Sequence, residues 1–173
     1  STMENVDRFA PIEAKFVRFM VKKTDELEPC IDELEVYTPG DNPKNVALAS
    51  NGGIASASTV FADNPLHRIE HLIDGRFGNA RSWIPTERQG AWAQIELATP
   101  TTIDMVAWAR DREGAFTDRI ITEYEIAVSM DGKAWRTVSD WSRRHRFDRG
   151  SQLPPLHDVN QLTAEEAAAL KQL

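Results

Sequence analysis

Apolar residues recur at every second position along much of this chain. In KFVRFMVK (residues 15–22), Val17, Phe19 and Val21 fall on one side of an extended backbone, and in IDELEVY (residues 31–37) Leu34 and Val36 do the same. These two segments are expected to form a strand pair. After a turn-rich hinge at Asp41 to Pro43, NVALAS and GIASAS read as short strands of small residues. AWAQIEL then offers Ala93, Ile95 and Leu97 to a core, TTIDMVAWAR is a further strand, and TEYEIAVS alternates through Tyr124, Ile126 and Val128. Asp131-Gly132 supplies the positive φ angles of a tight hairpin turn, from which KAWRTVSDW returns. Short strands broken by turn residues, with no helix between them, predict an all-β, antiparallel sandwich.

The end of the chain follows another pattern. Beyond SQLPPLHDVN lies TAEEAAALKQL, where Thr163 caps a helix start and Glu166 completes a capping box. A short C-terminal helical tail is therefore expected. It either docks on the sandwich or begins a longer segment. The sandwich is assigned to residues 9–150, and residues 151–173 to a linker and the start of that helix.

Composition narrows the possible roles. A chain of 173 residues is long enough for one well-buried core. Its net charge of -7 gives no electrostatic footprint for nucleic acid and argues against anionic membranes. No apolar run approaches the roughly 18 residues of a spanning helix, so a membrane partner is not expected. Cys30 is the single cysteine, which excludes an internal disulfide and a cysteine-based zinc cluster. Gly-x-Ser-x-Gly, phosphate-cradling and His-Glu-x-x-His motifs are absent, and an enzyme is not expected. Glu33 and Glu35 share one face of a strand, which an exposed strand carries routinely.

Four stretches in order, NVALAS, LIDGRFGNARSW, AWAQIELATPTTIDMVAW and YEIAVSMDGKAWRTV, carry a resemblance. Together, over about residues 45 to 140, the chain resembles the discoidin family, also called the coagulation-factor type C or galactose-binding-like domain. The resemblance implies a jelly-roll β-sandwich that binds rather than catalyses. In that family the pair similar to FVRFMV and IDELEVY comes last; here it comes first. A circular permutation is the expected explanation, since sandwich termini usually lie close together.

The resemblance also implies a structural calcium ion on the Asp-Gly loop. Carried over residue by residue, Asp74 and Glu33 give carboxylates, His71 and Arg76 give carbonyls, and Asn79 or Ser82 gives a side-chain oxygen. Calcium takes six to eight hard oxygens of these kinds. On the residues alone, the alternative is a turn in which Asp74 caps its own backbone.

Sugar-binding members follow the loop's tryptophan with a histidine and a second aromatic, whereas Trp83 is followed here by Ile84-Pro85-Thr86-Glu87. The family's arginine contact has a match at Arg110 in WARDREGAFTDR, and a guanidinium grips hydroxyls or a carboxylate at two points. The candidate ligand residues are Arg110, Asp111, Arg112, Glu113, Phe116 and, from the loop after Trp83, Glu87. Mutual pairing of these charges on the surface is the competing account. The expected function is a non-catalytic module binding a glycan or other surface ligand, covalently part of a larger, extracytoplasmic polypeptide. The WARDREG loop and helical tail resemble modules inside large secreted bacterial cytochrome c-like chains. The alternative is a protein-interaction or spacer domain with no small ligand.

Overall fold

A computed structural model describes residues 3–62 and 64–143. The expected helical tail lies outside the described residues. The strands are β1 (Asn5–Thr24), β2 (Glu33–Tyr37), β3 (Ile54–Ala57), β4 (Trp92–Ala109), β5 (Ile121–Ser129) and β6 (Arg136–Asp140). Every ladder between them is antiparallel, in the order β2-β4-β1-β5-β6, with β3 on β4.

Two long strands turn this path into a sandwich. The start of β1, Asn5 to Arg8, pairs with Met105 to Trp108 of β4, whose other edge takes β2. Beyond register shifts between Arg8 and Phe16, the end of β1 lies between Trp92 to Glu96 of β4 and the length of β5. Such bulges bend strands, and the bend places the two halves face to face. Phe19 and Tyr124 from one layer meet Trp108 from the other, with ring centroids 5.0 to 5.1 Å apart. The buried Asp7 carboxylate joins the layers, accepting from Trp108 Nε1 (3.2 Å), Tyr124 OH (2.9 Å) and Ser139 Oγ (2.7 Å).

The alternating residues fill the core. Val17, Phe19, Val21, Leu34, Val36, Ala93, Ile95, Leu97, Tyr124, Ile126 and Val128 are all buried, as their period of two requires. On the outer face Arg18 lies between the indoles of Trp92 and Trp135, 4.6 and 4.0 Å from their centroids.

Four local expectations are corrected. β1 and β2 do not pair with one another; they flank opposite edges of β4, because residues 25–32 carry the chain over the end of the sandwich. AWAQIEL and TTIDMVAWAR are one bent strand, β4, with Pro100 in its exposed middle. NVALAS is not a strand. Asn45 Oδ1 accepts from Val36 N and Ala47 N, and Ala49–Asn51 closes a 3-10 turn; side-chain bonds of this kind compete with a ladder. At the hairpin only Gly132 takes positive φ, 72°, while Asp131 Oδ1 accepts from Lys133 N and Ala134 N in a longer loop.

Because β1 is hydrogen-bonded along both edges, deleting residues 3–24 removes the centre of the sheet and opens two strands. The remainder should be insoluble or melt without cooperativity by circular dichroism. A soluble fragment with a sharp transition would show that β2 to β6 close without β1.

Candidate functional site

The chemistry gathers where β2 begins. Glu33 and Glu35 were expected on an exposed face; both are buried, as is Asp32. Loops cover that face of β2, so alternation with Leu34 and Val36 does not turn the acids to water. A buried carboxylate is costly unless donors reach it, and the loops supply them. Glu33 Oε1 accepts from Gly75 N (3.0 Å), Asp32 Oδ2 from Gly78 N (3.0 Å) and Arg112 N (2.6 Å), and Glu35 Oε2 pairs with Arg112 Nη1 (2.8 Å). Gly78 has φ of 98°, and a side chain there would collide with Glu113; only glycine brings this N–H to Asp32.

Glu33 Oε2, Asp32 Oδ1 and Asp111 Oδ1 are buried with no hydrogen-bond partner among the described residues. Burial pushes the Glu33 carboxyl up to about 9, against the Gly75 N–H, and the charges of Asp74, Glu35 and Asp32 add to the rise. Burial raises Asp32 as well, against the N–H groups of Arg112 and Gly78.

The Asp-Gly loop follows a 3-10 turn, Ile69–Ile73. Asp74 Oδ1 caps Arg76 N (2.8 Å), and Oδ2 pairs with Arg81. The far end is pinned by Trp83, buried and exchanging backbone hydrogen bonds with Ile31 at 2.7 and 3.1 Å, its indole N–H donating to Thr59 O (2.9 Å). The loop thus brings Asp74 beside Glu33. The hydrogen bonds of the other proposed side-chain ligands lead away: Asn79 Oδ1 accepts from Arg110 Nη1 (2.8 Å), and Ser82 Oγ donates to Asn79 O and meets His67 Nδ1. His71 is buried with Nδ1 on Leu66 O (3.1 Å), and Arg76 is exposed. Among the described residues no group of three or more His, Cys, Asp or Glu side chains converges as a metal centre.

Beyond Asn79 a cleft of about 230 Å³ opens between the loops, lined in part by Phe61, His67, Asn79, Arg110, Phe116 and Asp118. Phe61 and Phe116 are 49% and 45% exposed, so both rings face solvent. Arg110 is 2% exposed, and its Nε and Nη2 bind Asp118 O (2.9 Å) and Oδ1 (2.7 Å) while Nη1 reaches Asn79 and Cys30 Sγ (3.2 Å). It also lies 5.3 Å from the Phe116 ring centroid. On the cleft wall, Arg119 has φ of 58°, the one positive value outside glycine among the described residues; such strain persists where surrounding contacts enforce it. Here Glu28 holds the guanidinium and Cys30 N donates to Arg119 O.

Of the expected ligand residues, Arg110 and Phe116 reach the cleft. The rest serve the loops. Asp111 is buried and accepts from Phe116 N (2.8 Å); Arg112 pairs with Glu35 and lies 4.3 Å from the Phe77 ring; Glu113 covers Gly78; Glu87 accepts from Thr59 Oγ1. His67 and Phe61, which precede the Asp-Gly loop in the sequence, also line the cleft. Burial lowers the pKa of His67, and the charges of Arg119, Arg110 and His71 add to the fall.

The sequence model of the F5/8 type C domain matches residues 54–163. This chain belongs to the F5/8 type C domain family. No curated protein and no solved structure matches the chain. F5/8 type C domains are binding modules, generally non-catalytic, typically extracellular and parts of larger polypeptides. Among the described residues, no helix is long and apolar enough to cross a membrane. The match begins at Ile54, so β1 and β2 precede it although β1 is central to this F5/8 type C sheet.

The Glu33 shift sets a pH dependence. The folded protein retains a proton that the unfolded chain releases near the ordinary value of 4.5, so stability is lost as pH rises from there towards about 9. In chelator the melting temperature should fall between pH 5 and pH 9. Glu33→Gln, which still accepts from Gly75 N but does not ionise, should flatten that fall. An equally steep fall in the variant would assign it to other groups.

Proposed function

We propose that this F5/8 type C domain binds carbohydrate as a non-catalytic module of a larger extracytoplasmic protein, and that a sugar seats in the cleft between Phe61 and Phe116. The make-up of that cleft supports the reading: exposed phenyl rings over a floor of amide, imidazole, carboxylate and guanidinium groups. A sugar ring has an apolar C–H face and a rim of hydroxyls, and a cleft of this kind meets both. Arg110 acts from below, holding Asn79 and Asp118 for the ligand. A protein-interaction or spacer role is the second reading, favoured by the saturation of Arg110 by protein partners.

A structural calcium ion belongs to the same proposal. Glu33 Oε2 is buried and unpartnered beside Asp74, and a divalent cation would give it the positive partner its surroundings lack. Asp74 and Glu33 would hold the ion with the carbonyls of His71 and Arg76, the ion displacing Arg81 from Asp74. Its contribution would be to fix the loop, not to act on a ligand. We further propose that the fold is a circular permutation in which β1 and β2 supply strands that other members place last; the match beginning at Ile54 supports it.

Calcium at a hundred- to thousandfold excess over its dissociation constant should stabilise the protein by about 3 to 4 kcal/mol. Asp74→Ala should abolish the rise in melting temperature. If chelator leaves the unaltered chain's melting temperature unchanged, the calcium assignment fails.

On a glycan array, Phe116→Ala should weaken binding about tenfold or more at an unchanged melting temperature. Arg110→Ala should also destabilise the fold, by about 2 kcal/mol or more and with a lower melting temperature, because it leaves buried partners unsatisfied. Equal binding by the parent and Phe116→Ala would place the ligand elsewhere.

A further inference from the structure

The cleft does not end at its outer wall. Phe61, Asn64 and His67 form a rib, and on its other side lies a second depression of about 460 Å³, bounded in part by Pro65, Arg68 and Glu70. The three rib residues line both depressions. The first, at about 230 Å³, falls short of the roughly 300 Å³ at which small-molecule sites usually begin; the second, at about 460 Å³, is within that range, and the two share the rib residues.

The rib is pre-formed. Phe61 N donates to Ile84 O (2.7 Å), Ser82 N donates to Leu66 O (3.2 Å), and His67 Nδ1 meets Ser82 Oγ (2.9 Å). These bonds occupy the Nδ1 side of the His67 ring, and Nε2 has no hydrogen-bond partner among the described residues. Asn64 Oδ1 accepts from Leu66 N (3.0 Å), so its amide N–H groups remain. The rib therefore presents an exposed phenyl ring flanked by an amide and an imidazole, with a depression on either side.

Hydrogen-bonding capacity is unevenly divided between the two depressions. In the first, Arg110 and Asp118 bind each other and Arg119 binds Glu28. In the second, Arg68 and Glu70 are exposed and make no side-chain hydrogen bond or ion pair among the described residues. Beyond the Asn64 and His67 groups on the rib itself, the charged donors and acceptors free to meet hydroxyls thus lie on its far side. One sugar ring seated in the first depression leaves them unused.

Resting on the carbohydrate reading above, we infer that the ligand is an oligosaccharide of at least two linked sugars that crosses the Phe61–Asn64–His67 rib, one ring in each depression, with Arg68 and Glu70 contacting the outer ring. The ligand class is thus an internal or extended chain segment, not a lone terminal monosaccharide.

Calorimetric titration of the full chain with mono-, di-, tri- and tetrasaccharides of galactose, glucose, N-acetylglucosamine and galacturonic acid tests this. In the series that binds, affinity should rise about tenfold or more from the monosaccharide to the di- or trisaccharide. The double variant Arg68→Ala, Glu70→Ala should return the trisaccharide to the monosaccharide's affinity, with monosaccharide binding and melting temperature unchanged because both side chains are exposed. Equal affinity at every length, or a double variant that binds the trisaccharide like the parent, overturns the two-depression inference and leaves the carbohydrate reading standing. Absence of binding by every series at every length overturns both.

Discussion

The burial of acids at the head of β2 is the constraint on which the loop end of the molecule depends. A carboxylate withdrawn from water needs donors, and Asp32, Glu33 and Glu35 draw theirs from two loops that are far apart in sequence. Gly75 and Gly78 come in from one side, and Arg112 from the other, with both its backbone and its guanidinium. Asp32 alone binds both loops through a single oxygen. The cleft follows from this convergence: Asn79 is next to Gly78, and Phe116 is held by Asp111, next to Arg112.

Arg110 extends the same logic by one layer. Its guanidinium lies under the cleft and fixes Asn79 from one loop and Asp118 from the other. A planar fork suits that task because several acceptors are met in one plane. The side chains left at the surface, Phe61, Phe116, Arg68 and Glu70, are those on which neither the core nor the loops rely. A rigid floor beneath an uncommitted rim is how a binding site changes specificity without losing its fold.

Much of the sandwich was legible because alternation reports burial directly, and Val17, Phe19, Val21, Ile95 and Ile126 occupy the core as their spacing required. The order of motifs that resembled the F5/8 type C family was specific enough to be matched. Pairing was less legible. β1 and β2 look like a hairpin from their nearness in sequence, but which edges meet is decided by the long partner β4. The inward face of Glu33 and Glu35 was hidden for a related reason: period-two reading tells which residues share a face, not whether a loop covers it. Arg110 and Phe116, singled out from local motif order, both line the cleft. Phe61, Asn64 and His67 were missed because spatial adjacency to Trp83 arises through backbone bonds to Ile84 and Ser82, with no trace in linear spacing.

The central place of β1 also bears on how the chain is made. β1 is made before its partners in β4 and β5, which are complete only after Ala109 and Ser129 have been added. Until then an apolar strand with two unpaired edges waits beside the ribosome, and sheets closed by such distant pairings fold slowly. Lys15, Arg18, Lys22 and Lys23 interrupt that strand. In the folded protein Lys15, Lys22 and Lys23 pair with glutamates of β4 and β5. In the nascent chain those glutamates have not yet been added, and unpaired charges within an apolar strand are of the kind that oppose its pairing with other copies.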